Sequence, residues 1–300
     1  MYFPKNTELL SFSKWKNYAA HIPFGFLDFD EESDGAGNYY GLYWFYGKEN
    51  SEPVVCWFEH EQSLIAVTHN CLDDFLLEFG YIESTGSVMV DYYSDFIRAK
   101  LKAQKGDLDN SVLQMNEYLN YVPENSEAWG ILADVYRRKG NIEKADEMAL
   151  KSILANWSFG YPTTKSIQQF KKIDKFGALK NDPLVKRIDE FELIVTYNQL
   201  TMNYDVVKQA IEEYYEDGDY INALILEHNY ASMIGNETST FQDKNGFDLD
   251  VWREQYRLKC EKYLNRSFTT FNETYHFNKI SETITNSSPP QIPLSKPLEN

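Results

Sequence analysis

Alternating apolar positions predict a small antiparallel sheet in the first quarter of the chain. Residues 39–46 read YYGLYWFY, and aromatic side chains favour the pleated surface of a strand. Alternation puts Tyr40, Leu42, Trp44 and Tyr46 on one face and Tyr39, Tyr43 and Phe45 on the other. Both faces of this strand are therefore apolar. Residues 53–58 and 63–68 predict two further strands, joined by a short turn that suits an antiparallel hairpin.

A helix is predicted directly after these strands. Its apolar residues recur at helical spacing on one face: Leu72, Phe75, Leu76 and Phe79. Asn70 can cap the start of this helix, and Gly80 ends it. Asp73 and Asp74 lie in the first turn, where the helix dipole favours negative charge. The pattern predicts an α+β domain over residues 1–90.

From residue 91 the pattern changes to helical repeats. Its large and small positions resemble the register of tetratricopeptide (TPR) repeats: Trp129, Leu132, Ala133, Tyr136, Gly140 and Ala145. A shift of 34 residues places Ala99 under Ala133 and Gly106 under Gly140. Pro123 occupies the position of a terminating proline. Three residues depart from the pattern, so the resemblance implies divergent repeats: Lys102, Ser111 and Ala149.

The helical pattern continues to about residue 265. Gly218 repeats the turn of Gly140 after 78 residues, which predicts an inserted or irregular segment between them. Pro183 opens a predicted helix whose buried stripe contains Leu184, Ile188, Phe191 and Val195. We therefore expect an all-α, TPR-like array over residues 91–265, capped by a helix at 251–264. Residues 266–300 lose this periodicity, and their composition predicts a flexible tail.

Composition and charge narrow the choice of partners. The net charge is −17, and residues 1–80 carry four lysines against thirteen acidic residues, a net charge of −9. Nucleic acids and anionic membranes would be repelled, whereas a basic protein would be attracted. The sequence has neither an apolar run that could span a bilayer nor the pattern of a secretory signal, so we expect a cytoplasmic protein. The three cysteines, an odd number, favour reduced thiols over disulfides.

The order of features in the first quarter resembles the SUKH superfamily. Residues 22–47, IPFGFLDFDEESDGAGNYYGLYWFYG, combine a Pro-Phe-Gly entry, an acidic segment with glycine and an aromatic strand, and a second strand and an acidic amphipathic helix follow. The resemblance implies a small antiparallel sheet with flanking helices. Because many members of that superfamily are immunity proteins that bind and silence a bacterial toxin, it also implies a binding protein rather than an enzyme.

The candidate binding residues form an acidic segment followed by aromatic residues. Acidic residues that would attract a basic partner are Asp28, Asp30, Glu31, Glu32 and Asp34, and candidate aromatic anchors are Tyr39, Tyr40 and Tyr43. A plain solvated loop and a core role for most of the aromatic residues are the alternatives. A calcium loop fits poorly, because Ser33 and Tyr39 occupy the positions where an EF-hand requires glycine and glutamate.

Four soft ligands also occur within a short stretch: Cys56, His60, His69 and Cys71. Their spacings do not match common zinc sites, and neither an orienting third group nor an oxyanion motif accompanies a Cys–His pair. The chain contains no P-loop, Gly-x-Ser-x-Gly, dinucleotide fingerprint or His-Glu-x-x-His motif. We therefore expect no catalytic residue, no metal and no cofactor.

These observations favour a non-enzymatic, intracellular immunity protein (an antitoxin) that binds a basic toxin through an acidic and aromatic surface. The first alternative is a scaffold or adaptor whose helical array binds a peptide or protein partner. A weaker alternative is a hydrolase that uses Cys56 or Cys71 with His60 or His69.

Overall fold

A four-stranded antiparallel sheet lies near the start of the chain in the computed structural model, which describes residues 2–10, 23, 25–33, 37–59, 64–82, 92–196 and 199–264. Its strands are β1 (Phe26–Ser33), β2 (Tyr39–Tyr43), β3 (Val54–Glu59) and β4 (Leu64–His69), in the order β1-β2-β3-β4. Helix α1 (Leu72–Glu78) follows the sheet. Short 3-10 helices span Thr7–Leu9 and Trp157–Phe159.

The rest of the described chain is mainly helical. Its helices are α2 (Tyr92–Lys105), α3 (Leu108–Tyr121), α4 (Ser126–Arg138), α5 (Ile142–Leu154), α6 (Thr164–Phe170), α7 (Pro183–Lys186), α8 (Tyr204–Glu216), α9 (Tyr220–Gly235), α10 (Ser239–Lys244) and α11 (Leu249–Leu264). A two-stranded sheet, β5 (Leu193–Thr196) with β6 (Gln199–Met202), interrupts them. The predicted α+β class is therefore confirmed. Within the described residues, no helix combines the length and the apolar character that a bilayer crossing requires.

The four-stranded sheet is the middle layer of a three-layer packing. Residues of one face pack against α1: Leu27, Phe29, Leu42, Trp44 and Val55 contact the cluster of Leu72, Phe75 and Leu76. The other face, which includes Phe26, Tyr43, Cys56 and Phe58, belongs to a cluster that continues into the helices. Each large side chain buried in this way contributes about 1.5–3 kcal/mol to folding. Both faces of β2 are apolar, as predicted, because each of them packs against another layer.

Two details of the predicted sheet and helix are wrong. Strand β2 ends at Tyr43, and Tyr46 packs with Leu224, Ile225 and Tyr256 rather than with the α1 face. The N-cap of α1 is Cys71, not Asn70, and its side chain makes no capping hydrogen bond. The predicted ending at Gly80 is confirmed, because Gly80 has a φ of 75° and its N–H donates to the carbonyl of Leu77.

Three helical hairpins turn at the predicted glycines. Gly106, Gly140 and Gly218 adopt φ values of 86°, 77° and 78° between α2 and α3, α4 and α5, and α8 and α9. In each turn the glycine N–H and the N–H that follows it return to carbonyls of the preceding helix, which satisfies the last carbonyls of that helix. Asn141 and Asp219 then cap the next helix with their side chains. The assignment of these hairpins to the TPR class remains a prediction.

The region between the second and third hairpins departs from the all-α prediction. Helix α7 contains only four residues, and Val195, which was assigned to its buried stripe, lies in β5. The run Leu193–Thr196 is rich in β-branched residues, which favour a strand, and it pairs in register with Gln199–Met202. This hairpin and the short helices α6 and α7 occupy the additional length between Gly140 and Gly218. The predicted tail at 266–300 lies outside the described residues.

Candidate partner-binding surface

The acidic segment predicted to be a loop is a bulged edge strand over most of its length. Asp28 pairs with Gly41 and Ser33 pairs with Tyr39, so the four residues 29–32 lie opposite Tyr40 alone. The backbone of Asp30, Glu31 and Glu32 therefore belongs to β1. The loop prediction is wrong here because Leu27 and Phe29 bury their side chains against the α1 layer and draw the chain into the sheet.

The predicted acidic residues do not share one environment. The side chain of Asp28 is buried, with 5% of its surface exposed, so it is not part of an exposed docking surface. The side chains of Asp30, Glu31 and Glu32, and the whole of Asp34, lie outside the described residues. Among the described strands, β1 has a neighbour on one side only, so the backbone of Asp30, Glu31 and Glu32 lies along an edge of the sheet.

The three candidate tyrosines do not form one aromatic patch. Tyr43 is fully buried in the helix-facing cluster, and Tyr39 packs on the same side, with its ring centroid 4.9 Å from that of Phe58. Tyr40 lies on the opposite face, with its ring centroid 4.6 Å from that of Trp57. Because alternate residues of a strand point to opposite faces, the neighbours Tyr39 and Tyr40 diverge. The prediction that the three tyrosines act together as exposed anchors is therefore wrong for Tyr43, which is buried. Tyr39 and Tyr40 lie on opposite faces of the sheet and cannot contact one partner surface together.

A second acidic group lies at the start of α1. Glu52, from the loop before β3, approaches Asp73 and Asp74, whose positions in the first turn of the helix are favoured by its dipole. Partial burial raises the pKa of the Glu52 carboxyl, and the negative charges of the two aspartates raise it further. Asn6 donates a hydrogen bond of 2.9 Å to Asp73. We call Glu52, Asp73 and Asp74 the acidic cluster.

The geometry of the thiols does not favour nucleophilic chemistry. Burial raises the pKa of the Cys71 thiol to about 11. Burial and then the charge of Glu124 raise the pKa of the Cys56 thiol well above its usual value. Because the thiolate is the reactive form, both sulfurs are held in the inert form at neutral pH.

The histidines of the same stretch give no metal site among the described residues. His69 is buried, and its Nε2 atom lies 2.8 Å from a carboxylate oxygen of Glu78, while Nδ1 lies 3.0 Å from the hydroxyl of Thr68. His60 lies outside the described part of the chain. Over the residues that the structure describes, no group of three or more His, Cys, Asp or Glu side chains is arranged to hold a metal ion.

A buried carboxylate that the sequence analysis did not identify joins the sheet to the helices. Glu124, between α3 and α4, is 6% exposed. It accepts hydrogen bonds of 2.7 Å from the Tyr43 hydroxyl and the Tyr46 N–H and of 2.9 Å from the Asn156 amide. The neighbouring Pro123 is the predicted terminating proline, but no local pattern marks the glutamate as buried. Its role is structural, since it fixes the sheet on the helical region.

Helices α2, α4 and α6 line a groove. Residues of α2, α4 and α6 enclose a cavity of about 260 Å³. Its charged walls are largely paired with one another, because Lys100 lies 2.6 Å from Glu127 and Lys165 lies 2.9 Å from Asp134. Gly130 lets α6 approach α4 closely here. The groove could hold an extended peptide, at the cost of displacing these ion pairs.

Sequence comparison relates the chain to a pair of domain families. The family described as "YfbP N-terminal domain" matches residues 8–84, and the family described as "YfbP C-terminal domain" matches residues 198–270. The protein "Uncharacterized protein YfbP" of Escherichia coli (strain K12) is 30% identical over 258 residues, which cover 83% of this chain and 92% of that protein. No solved structure matches the chain. The first matched segment contains the four-stranded sheet and α1, and the second contains β6 and α8 to α11.

Proposed function

The chain belongs to the YfbP family, and from this premise we propose that it is a non-enzymatic protein that binds and neutralises a basic toxin, as SUKH immunity proteins do. The observation that carries the proposal is the acidic cluster beside the sheet. Glu52 lies within electrostatic range of Asp73 and Asp74, because the charges of these two aspartates raise the pKa of its carboxyl in addition to burial. Like charges that are held close together favour the arrival of a cation.

The position of the cluster suits attraction over a distance. The cluster lies in the part of the chain that carries a net charge of −9, and the edge strand β1 adds acidic residues to the same domain. Such a field accelerates the encounter with a basic surface and makes the association rate depend on salt. The aromatic residues of the sheet are mostly core in this proposal, so the short-range contacts would come from the edge of the sheet and its flanking loops.

Capture from the native cell tests the proposal first. The full chain serves as bait, bound proteins are eluted with rising salt, and mass spectrometry identifies them. Each candidate is then expressed alone and together with this chain. We expect a basic partner that arrests growth alone and is neutralised by co-expression. Candidates without an effect on growth would contradict the immunity role.

A charge variant tests the surface. Glu52→Lys combined with Asp73→Asn keeps a hydrogen-bond acceptor for Asn6, removes two negative charges and adds one positive charge, so the net charge rises by three. We expect slower association with the captured partner and a weaker dependence of its rate on salt, measured by stopped flow. The matched control, Glu216→Lys with Asp217→Asn at the end of α8, changes the net charge equally. Equal slowing by both variants would show a general charge effect and remove the acidic cluster from the proposal.

The groove between α2, α4 and α6 favours a scaffold as the second candidate. Lys100→Ala with Lys165→Ala removes two of its paired cations and leaves the acidic cluster intact. A scaffold would lose its partner in this variant and keep it in the acidic-cluster variant, and an immunity protein of the proposed kind would show the reverse. Point variants are preferable to removal of residues 1–90, because the sheet shares a hydrophobic cluster with the helices.

A further inference from the structure

A short turn between α6 and α7 holds an aromatic side chain in the solvent. Phe176 is 79% exposed, the largest exposed fraction among the exposed large hydrophobic residues of the described chain. The apolar residues on either side of it are covered: Ile173 is buried, and Leu179 is partly buried against the main hydrophobic cluster. The chain therefore buries the apolar residues on both sides of Phe176 and leaves the one at the tip outside.

The turn is fixed rather than loose. The N–H of Phe176 donates to the carboxylate of Asp174, and the N–H of Gly177 donates to the Asp174 carbonyl, both at 2.9 Å. Asp174 is itself held by α5, because its N–H donates to the carboxylate of Asp146 at 3.3 Å. Arg137 of α4 donates to that same carboxylate at 2.6 Å. Phe176 is thus presented at a defined place on the hairpin of α4 and α5.

The segment that carries Phe176 is rich in lysine, in contrast to the whole chain, although the charges of Asp189 and Glu192 act on Lys171 from outside it. Residues 171–180 contain four lysines and one aspartate, a local charge of +3 in a protein of −17. Lys175 pairs with Asp189 and lies over the Phe176 ring. Lys172 and Lys180 are exposed, and neither forms an ion pair within the described part of the chain. Two cations that form no ion pair in the described part of the chain therefore flank Phe176 in sequence, four residues to either side.

A second exposed apolar residue lies on α5, the helix that holds Asp174. Ile142 is 47% exposed and lies one helical turn before Asp146, on the same face of α5. The hydrogen bond between Asp174 and Asp146 thus connects the turn that carries Phe176 to the helix that carries Ile142. We call Ile142, Lys172, Lys175, Phe176 and Lys180 the basic loop surface.

We propose that the basic loop surface binds an acidic peptide segment of a partner protein, with an apolar side chain of that segment packed on Phe176. An aromatic anchor framed by charge concentrates binding energy in a small area. The net charge of the whole chain selects against extended polyanions, because a membrane or a nucleic acid would also meet its acidic parts. A single peptide segment contacts only the loop, and at physiological salt charges more than about 8 Å away are largely screened.

This surface is independent of the acidic cluster. The two have opposite charges and lie on different elements: the acidic cluster lies on α1 and the loop before β3, and the basic loop surface lies on α5 and the turn after α6. A partner of the basic loop surface is therefore a different molecule, or a different part of one, from the basic toxin of the proposed function.

Binding of synthetic peptides to the full chain tests the proposal. The probe is an immobilised peptide of sequence EEELFEEE, compared with QQQLFQQQ and EEEGGEEE by biolayer interferometry at low and high salt. We expect EEELFEEE to bind most tightly and salt to weaken it. We expect Phe176→Ser, and separately Lys172→Glu with Lys180→Glu, to weaken binding by about tenfold.

Two control variants make the test specific to this surface. Leu113→Ser removes another highly exposed apolar residue, on α3, and Lys208→Glu reverses an exposed lysine on α8. Both should leave the affinity unchanged. The proposal is overturned if all variants bind the peptide equally, if no peptide binds, or if vesicles of phosphatidylcholine and phosphatidylglycerol bind through Phe176 while the peptides do not.

Discussion

Glu124 shows how one residue determines the relation between the sheet and the helices. Its carboxylate accepts hydrogen bonds from a side chain of β2, from the backbone of the residues that follow β2 and from Asn156 beyond α5. A buried acceptor of this kind is stabilising only while its donors remain in place, because each unmatched buried polar group costs about 1–3 kcal/mol. The interface is therefore sensitive to small chemical changes at this position.

At the residue scale we predict the effect of Glu124→Gln. The new amide would place N–H groups against the Asn156 amide, so a buried donor would lose its acceptor. We expect the free energy of unfolding to fall by about 1–3 kcal/mol in urea denaturation. Glu117→Gln, at an exposed site on α3, is the control and should change it by less than about 0.5 kcal/mol. Equal stability of the two variants would contradict the structural role of Glu124.

Elements were predictable from sequence where a local pattern determines them. The strands around Tyr40 and Val55, helix α1 and the glycine turns follow from alternation, helical spacing and positive φ. The β5–β6 hairpin was missed because the apolar spacing from Leu184 to Val195 also fits a helix. The acidic cluster and the Glu124 network were missed because they join residues distant in sequence, and only packing brings these together. The exposure of Phe176 could not be predicted either, because the sequence alone does not distinguish an exposed aromatic residue from a buried one.

At the element scale, the contact between α4 and α6 depends on Gly130, because a glycine has no side chain to separate the two helices. A Cβ atom at Gly130 would lie 1.9 Å from the Ser166 hydroxyl oxygen and 2.8 Å from its Cβ. We therefore predict that Gly130→Ala lowers the melting temperature. The cost of overpacking, about 1–3 kcal/mol, exceeds the gain of about 1 kcal/mol in helix propensity.

A second substitution checks that cause. Ser166→Gly removes the atoms that the alanine would meet, so the double variant should be more stable than Gly130→Ala alone when thermal unfolding is followed by circular dichroism. A melting temperature of Gly130→Ala at or above that of the unmodified chain would show that the two helices separate without cost.

The whole molecule is organised around a hydrophobic cluster that crosses from the sheet into the helices. Phe159, after α5, brings its ring centroid within 5.2 Å of that of Tyr43 and 5.7 Å of that of Phe45. The same cluster extends to residues of α8 and α9. The two segments that match the YfbP domain families thus contribute to one core in this chain.

This continuity leads to a prediction about folding. Residues 1–90 alone would expose the helix-facing side of the sheet, so we expect the isolated fragment to lack a dispersed NMR spectrum. The full chain should unfold in one transition, with urea curves from far-ultraviolet circular dichroism and from tryptophan fluorescence that coincide. A folded fragment, or two separate transitions, would instead show two independent domains.

The covering of both sheet faces has a consequence for recognition. Most side chains of both faces are covered, so the sheet offers other molecules mainly its rims. At a rim, main-chain N–H and C=O groups supply the contacts, and these tolerate many partner sequences. Selectivity then depends on the few charged positions beside the rim, which can change without disturbing the core. Related chains could therefore acquire new partners while they keep the same architecture.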